Sequence, residues 1–161
     1  MNKVYLRILT LLIAILLCSC ARLPITKATP LPTCTRVVDG DTIVVERIGK
    51  VRLIGVDTPE TVHPRKPVEY FGKEASNFTK RMVEGKKVRL EYDWQRKDRY
   101  GRVLAYVYLE DGTFLNAEIV KQGYGHAYTK YPFKYLERFK IYEKEASKNK
   151  RGLWNVQRNK K

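Results

Sequence analysis

The sequence predicts a mainly β chain with helices, an α+β fold in which five short strands close a small Greek-key barrel and about three α-helices pack around it. Three observations carry this prediction. Short β-branched runs separated by Gly-containing turns recur through the middle of the chain. Apolar residues return at helical spacing in three other segments. A length of 161 residues leaves room for one domain of ordinary size with a real apolar core.

Thr42 to Arg47 and Lys50 to Val56 are β-branched runs that meet at Ile48-Gly49, which predicts a hairpin. Ala75, Phe78 and Met82 then recur at helical spacing ahead of Gly85, whose lack of a Cβ suits a helix end. Val88, Leu90 and Tyr92 alternate with charged residues in a third strand. Arg102 to Leu109 forms a fourth, with Leu104, Tyr106 and Tyr108 on one face. Asp111-Gly112 turns the chain into a short fifth strand at Thr113 to Leu115. Asn116 caps a short helix running to Gly123, and Tyr135, Phe139, Tyr142 and Ala146 make the stripe of a longer one, its aromatics assigned to the core. Five strands with helices at intervals fit a barrel of the OB type, which presents a face suited to oligonucleotides.

The ends of the chain differ from its middle. Lys3 and Arg7 precede an uncharged apolar run from Ile8 to Ala21, the order of a secretory signal. That run is shorter than the ~17 to 25 apolar residues of a spanning helix. Residues 1–20 are therefore assigned as an export signal. The signal closes on Leu17-Cys18-Ser19-Cys20, which resembles a bacterial lipobox, so Cys20 is the expected lipidation site and cleavage after Ala21 the alternative. The expected location is outside the cytoplasm, as a membrane-anchored lipoprotein or a secreted protein. Either cut leaves Cys34 unpaired and excludes a fold stapled by disulfides. Residues 21–34, with Pro24, Pro30 and Pro32, read as an extended tether, 35–156 as the folded domain and 157–161 as a basic tail. The whole Lys-rich end from Lys148 reads as solvated, adding nonspecific attraction to phosphate.

A net charge of +15, to which the signal contributes only Lys3 and Arg7, makes the domain itself basic. Its partner is then a polyanion: nucleic acid, anionic lipid or acidic polysaccharide. The hairpin narrows the choice. With its turn centred on Gly49, Asp41 lies opposite Asp57, Ile43 opposite Gly55 and Val45 opposite Leu53. Directly opposed like charges are destabilising unless a cation or a proton is shared between them. The donors are hard oxygens with no Cys or His nearby, and Thr58 can add a backbone carbonyl, so Ca²⁺ is favoured over Zn²⁺ or Cu²⁺, with Mg²⁺ still open.

Phosphodiester hydrolysis needs a water deprotonated near phosphorus and positive charge around the pentacoordinate transition state. Glu60, three residues beyond Asp57, is placed to hold or deprotonate that water. Arg52 and Arg102 can bond phosphate oxygens bidentately, as a lysine cannot. Strict alternation sends Arg52 and Asp57 to opposite faces of one strand, so a bulge or bend is expected at Gly55. His63 and His126 have no metal-ligand spacing to another His or Cys and are read as incidental.

Val38-Asp39-Gly40-Asp41-Thr42, Val51-Arg52-Leu53-Ile54-Gly55-Val56-Asp57-Thr58-Pro59-Glu60 and Asp98-Arg99-Tyr100-Gly101-Arg102-Val103-Leu104-Ala105-Tyr106-Val107 together resemble the three signature segments of the staphylococcal nuclease family. Their order and content agree across roughly Thr35 to Trp154. The resemblance implies an OB-type barrel with three helices, Ca²⁺ held by Asp41, Asp57 and the Thr58 carbonyl, and a catalytic set of Arg52, Glu60 and Arg102. It implies cleavage of both DNA and RNA with little sequence preference, leaving 3′-phosphates. Arg99 and Tyr100 would contact the neighbouring phosphate, and Tyr128, with Tyr131 as the other candidate, would stack on a base. DNA and RNA are thus the expected partners, with the membrane added if Cys20 is lipidated, and the chain is expected to act as a monomer.

The competing expectation is a non-catalytic OB-fold lipoprotein that only binds nucleic acid. Such a protein should have lost at least one of Asp41, Arg52, Asp57, Glu60 and Arg102, and all five are present. A basic lipoprotein adhering to lipid or polysaccharide would explain the charge but not the paired carboxylates.

Overall fold

A computed structural model describes residues 30–62 and 67–155. Residues 1–20 with Cys20, read from the sequence as an export signal, all but the end of the expected tether, His63 and the expected tail 157–161 lie outside the described residues. Cys34–Asp39 (β1) turns through Gly40-Asp41 into Thr42–Val45 (β2), and Gly49–Leu53 (β3) follows. Val56–Asp57 (β4) precedes the first helix, Gly72–Val83 (α1), and Val88–Glu91 (β5) and Val103–Leu109 (β6) come next. Leu115–Lys121 (α2), His126–Ala127 (β7), Leu136–Lys148 (α3) and a 3₁₀ turn at Gly152–Trp154 complete the order.

The five-stranded sheet runs β1-β2-β3-β6-β5, antiparallel except for the parallel pair β3 and β6. Its two outer strands meet: Cys34 N–H donates to Lys86 O at 2.9 Å and Val88 N–H to Pro32 O at 2.9 Å. That contact closes the sheet into the expected OB-type barrel and removes its edges. Ile43, Val45, Val51, Leu53, Val88, Ala105 and Val107 fill the interior. On the outside, α1 buries Ala75, Thr79 and Val83, and α2 buries Leu115, Ala117, Ile119 and Val120. Each such Val, Leu or Ile contributes about 1.5–3 kcal/mol through burial. Phe139 and Ala146 are the buried residues of α3, as its stripe predicts. Cys34 is a free thiol in this core, and burial pushes its pKa up to about 11.

Four expectations need correction. The hairpin register is Ile43 opposite Val51 and Val45 opposite Gly49, so Asp41 does not face Asp57 across it. Its loop is Glu46-Arg47-Ile48, closed by Ile48 N–H to Val45 O at 3.1 Å with Arg47 at φ 63°, so Gly49 begins β3 instead of centring the turn. The segment Thr113 to Leu115 is not a strand: Phe114 makes a single bridge to Tyr108, and Leu115 opens α2. The fifth strand is β1, where two register shifts break the alternation by which a strand is recognised.

Asn116 is not a cap. It lies inside α2, fully buried, with its Oδ1 accepting from Val107 N–H at 2.9 Å and its Nδ2 donating to Ile54 O and Ala105 O at 3.0 and 3.2 Å. The C-terminal segment is not wholly a solvated tail either. Beyond Lys148 the chain folds back, and Leu153 N–H donates to Gly123 O at 2.9 Å.

The bend anticipated at Gly55 is present. Its φ of 75° belongs to the left-handed region, and a Cβ there would lie 2.6 Å from the Phe133 ring. After this bend β4 leaves the barrel sheet and pairs with β7. The change of direction redirects the Asp57 side chain relative to β3.

Candidate active site

Asp41 ends the turn between β1 and β2 and is buried. Its Oδ1 accepts from Thr42 Oγ1 at 2.9 Å, and its Oδ2 from Thr58 N–H at 3.1 Å and Thr58 Oγ1 at 3.2 Å. Thr58 packs so tightly against Gly40 that a Cβ there would meet its side chain at 2.7 Å. Thr79 of α1 holds the same turn by donating to Gly40 O at 2.6 Å. A barrel turn, the β4 end and a helix therefore fix one carboxylate.

Arg52 on β3 joins the two aspartates. One of its terminal nitrogens pairs with Asp41 Oδ2, and the other donates to Asp57 Oδ1 at 3.0 Å. The carboxylates thus converge as expected, though through the bend at Gly55 and a shared guanidinium instead of through hairpin pairing. Burial pulls Arg52 below the ordinary guanidinium value; Asp57 opposes that shift, and the like charge of Arg102 adds to it.

Arg102 is organised by Asp98. The carboxylate takes Arg102 Nε at 2.6 Å, Arg102 N–H at 3.0 Å and Tyr100 N–H at 2.9 Å. Within the same turn Arg99 donates to Tyr100 Oη at 2.6 Å and lies 4.8 Å from that ring's centre. Arg52, Arg99, Tyr100, Arg102, Tyr128 and Tyr131 all line one cavity of about 360 Å³. Both tyrosine candidates are on it, with ring centres 6.1 Å apart.

Glu60 is held differently. Its carboxylate accepts from Val62 N–H at 2.9 Å and shares a hydrogen bond with the Asp39 carboxyl. Burial, followed by that shared bond, raises Asp39 above the usual carboxylate range, against donors from Thr61 and Gly40. Glu60 does not line the cavity of the two arginines. His126 pairs with Glu143 at 3.0 Å and packs edge-on to Trp154.

Among the described residues no three His, Cys, Asp or Glu side chains gather as a metal cluster. The donors that do converge are the Asp41 and Asp57 carboxylates, which reach the two ends of one guanidinium, beside Thr58. An all-oxygen set of two carboxylates, completed by a carbonyl and water, suits a hard divalent cation. The residues present fit Ca²⁺.

Three contributors escaped the sequence reading: Asp98 as the organiser of Arg102, Asn116 as the tie between α2 and β6, and Trp94 on the cavity wall. Only Asp98 had a local signal, since an aspartate two and four residues before main-chain N–H groups favours a side-chain-closed turn.

Residues 50–156 match the family described as staphylococcal nuclease homologue. The chain is 53% identical over 124 residues to the thermonuclease of Staphylococcus hyicus, covering 74% of this chain and 73% of that protein. It is 50% identical over 123 residues to the thermonuclease of Staphylococcus intermedius, with 74% and 73% covered. To endonuclease YncB of Bacillus subtilis (strain 168) it is 42% identical over 129 residues, 76% of this chain and 61% of that protein. Closed barrel, helices and family match agree, and the chain belongs to the staphylococcal nuclease family.

Proposed function

We propose that the chain is an exported, Ca²⁺-dependent endonuclease that hydrolyses phosphodiester bonds of DNA and RNA with little sequence preference and leaves 3′-phosphates. One observation carries this: two guanidinium groups, Arg52 and Arg102, line a single cavity beside a convergent pair of carboxylates. Relatives named thermonuclease and endonuclease support it.

In this reading Arg52 and Arg102 bond the phosphate oxygens and offset the charge that builds on them in the transition state. Glu60 takes a proton from the attacking water, its hydrogen bonds shifting from Val62 and Asp39 as substrate enters. The new bond joins that oxygen to phosphorus, the bond to the 5′-oxygen breaks, and the leaving oxygen gains a proton. Phosphate stays on the 3′ side. Arg99 and Tyr100 position the neighbouring phosphate and Tyr128 stacks on a base. Asp41, Asp57 and the Thr58 carbonyl would hold Ca²⁺, which when bound supplies positive charge to the phosphate and lowers the pKa of a bound water.

The test is release of acid-soluble nucleotides from single-stranded DNA by the full chain, with Ca²⁺ and with excess chelator. Cleavage only with Ca²⁺ is expected. Binding without cleavage in Ca²⁺, Mg²⁺ or Mn²⁺ would point to the non-catalytic nucleic-acid-binding lipoprotein instead. Export as a monomer, anchored through lipid on Cys20 or released after Ala21, is checked by fractionation of wild type and Cys20→Ala and by mass measurement of the new N-terminus. A lipidated protein moves to the soluble fraction on that substitution, whereas a released one is unaffected.

A further inference from the structure

We propose that Trp94 is a nucleobase-stacking residue that extends the cavity of Arg52 and Arg102 by a further subsite for single-stranded substrate. The inference deepens the nuclease reading and rests on it. Trp94 follows β5 in the connection 92–102 to β6 and lines the cavity together with Lys130 and Tyr131. At 69% it is the most exposed large apolar side chain among the described residues.

An indole left 69% exposed forfeits much of the gain from burying its apolar area, so a position that keeps it in water beside other exposed aromatics invites a ligand. The ring is also held in place. Its Nε1 donates to Pro132 O at 3.2 Å, and its own N–H to Asp93 Oδ1 at 2.8 Å. Asp93 Oδ2 in turn accepts from Lys134 N–H at 2.9 Å, so the residues on both sides of Phe133 are tied to this connection. A ring ordered before binding loses little freedom when a base stacks on it.

The surroundings match what a single strand requires. Tyr100 and Tyr131, on the same cavity, are 67% and 55% exposed. Lys130 Nζ lies 5.8 Å from the Tyr131 ring centre, and Arg99 and Arg102 carry charge beside Tyr100. Exposed aromatic faces along a basic groove bind successive bases without reading their sequence, because every base offers a π-face. Trp94 stands on that groove as a further stacking face beside the one assigned to Tyr128.

The alternative is that Trp94 only pins the Pro132 loop through its indole N–H. Phenylalanine separates the two roles, because it keeps a stacking face and loses the N–H. On a single-stranded DNA oligomer in Ca²⁺, Trp94→Ala is expected to raise KM roughly tenfold, more than it lowers kcat, and Trp94→Phe to recover most of that loss. A labelled oligomer in chelator gives the same comparison by anisotropy, with no turnover required. Quenching of tryptophan fluorescence on binding is expected in wild type and absent in Trp94→Phe, which retains only Trp154.

Equal affinities for wild type and Trp94→Ala in both assays would overturn the subsite, as would Trp94→Phe behaving like Trp94→Ala. If no metal supports cleavage, the nuclease reading fails while the anisotropy comparison still decides on Trp94.

Discussion

Asp98→Asn is the perturbation that isolates the positioning of Arg102. The amide keeps an oxygen for the Tyr100 and Arg102 main-chain N–H groups, now at 2.9 and 3.0 Å, but presents NH₂ to Arg102 Nε, which Asp98 holds at 2.6 Å. One charge-assisted hydrogen bond in a site where the Asp98 side chain is 16% exposed is worth about 1.5–3 kcal/mol. If that bond sets the guanidinium against the phosphate, its loss lowers kcat/KM by roughly 10- to 100-fold. The assay is steady-state cleavage of single-stranded DNA, with urea denaturation of both proteins alongside.

The same substitution has a pH signature. Burial acts to raise the Asp98 pKa, but hydrogen bonds from the Arg102 side chain and from the Arg102 and Tyr100 main chain outweigh it, holding the carboxyl below the usual carboxylate range. A depressed folded pKa contributes stability above the unfolded value of ~3.9 and loses it as pH falls through the folded value. The stability gap between wild type and Asp98→Asn should therefore be full above about pH 5 and shrink below about pH 4. Activity within about twofold of wild type, or a gap unchanged down to about pH 3, would refute the positioning role.

Three further outcomes are expected. Asn116→Ala strands the buried Val107 N–H and takes a donor from Ile54 O, while Ala105 O keeps the Ile54 N–H at 3.1 Å, so a loss of about 2–4 kcal/mol in urea denaturation is expected, and a loss under about 1 kcal/mol would remove Asn116 as a structural tie. Gly55→Ala places a Cβ 2.6 Å from Phe133 at a positive φ and should cost about 1–3 kcal/mol or more; a neutral result would mean that the bend relaxes freely. Glu60→Gln should lower turnover by roughly 10²- to 10⁴-fold and leave affinity for nucleic acid nearly intact, and loss of both together would count against proton transfer at Glu60.

Several features could be read locally. The stripe ending in Ala146 is a repeat along one helix, so Phe139 and Ala146 could be assigned to the core from spacing alone. Gly55 was implicated because Arg52 and Asp57, five apart, could not otherwise share a site, and the bend there lets both side chains meet. The hairpin register was missed because a single loop residue, Arg47 at φ 63°, shifts the pairing, and that conformation has no mark in the sequence. Asn116 looked like a cap because its short polar side chain favours helix starts; its partners lie nine, eleven and 62 residues away.

By itself, the sequence determined the basic charge, the kinds of groups available and their grouping into three segments, because these belong to covalent order and composition. Tertiary structure decided which groups meet. Closure of the barrel through Pro32, Cys34 and Val88, and the bend that lets Arg52 reach both aspartates, depend on pairings between distant strands. So does the bond from Trp94 to Pro132, 38 residues further along the chain. Such contacts gain their free energy only when the whole sheet closes, so no local window of residues contains them.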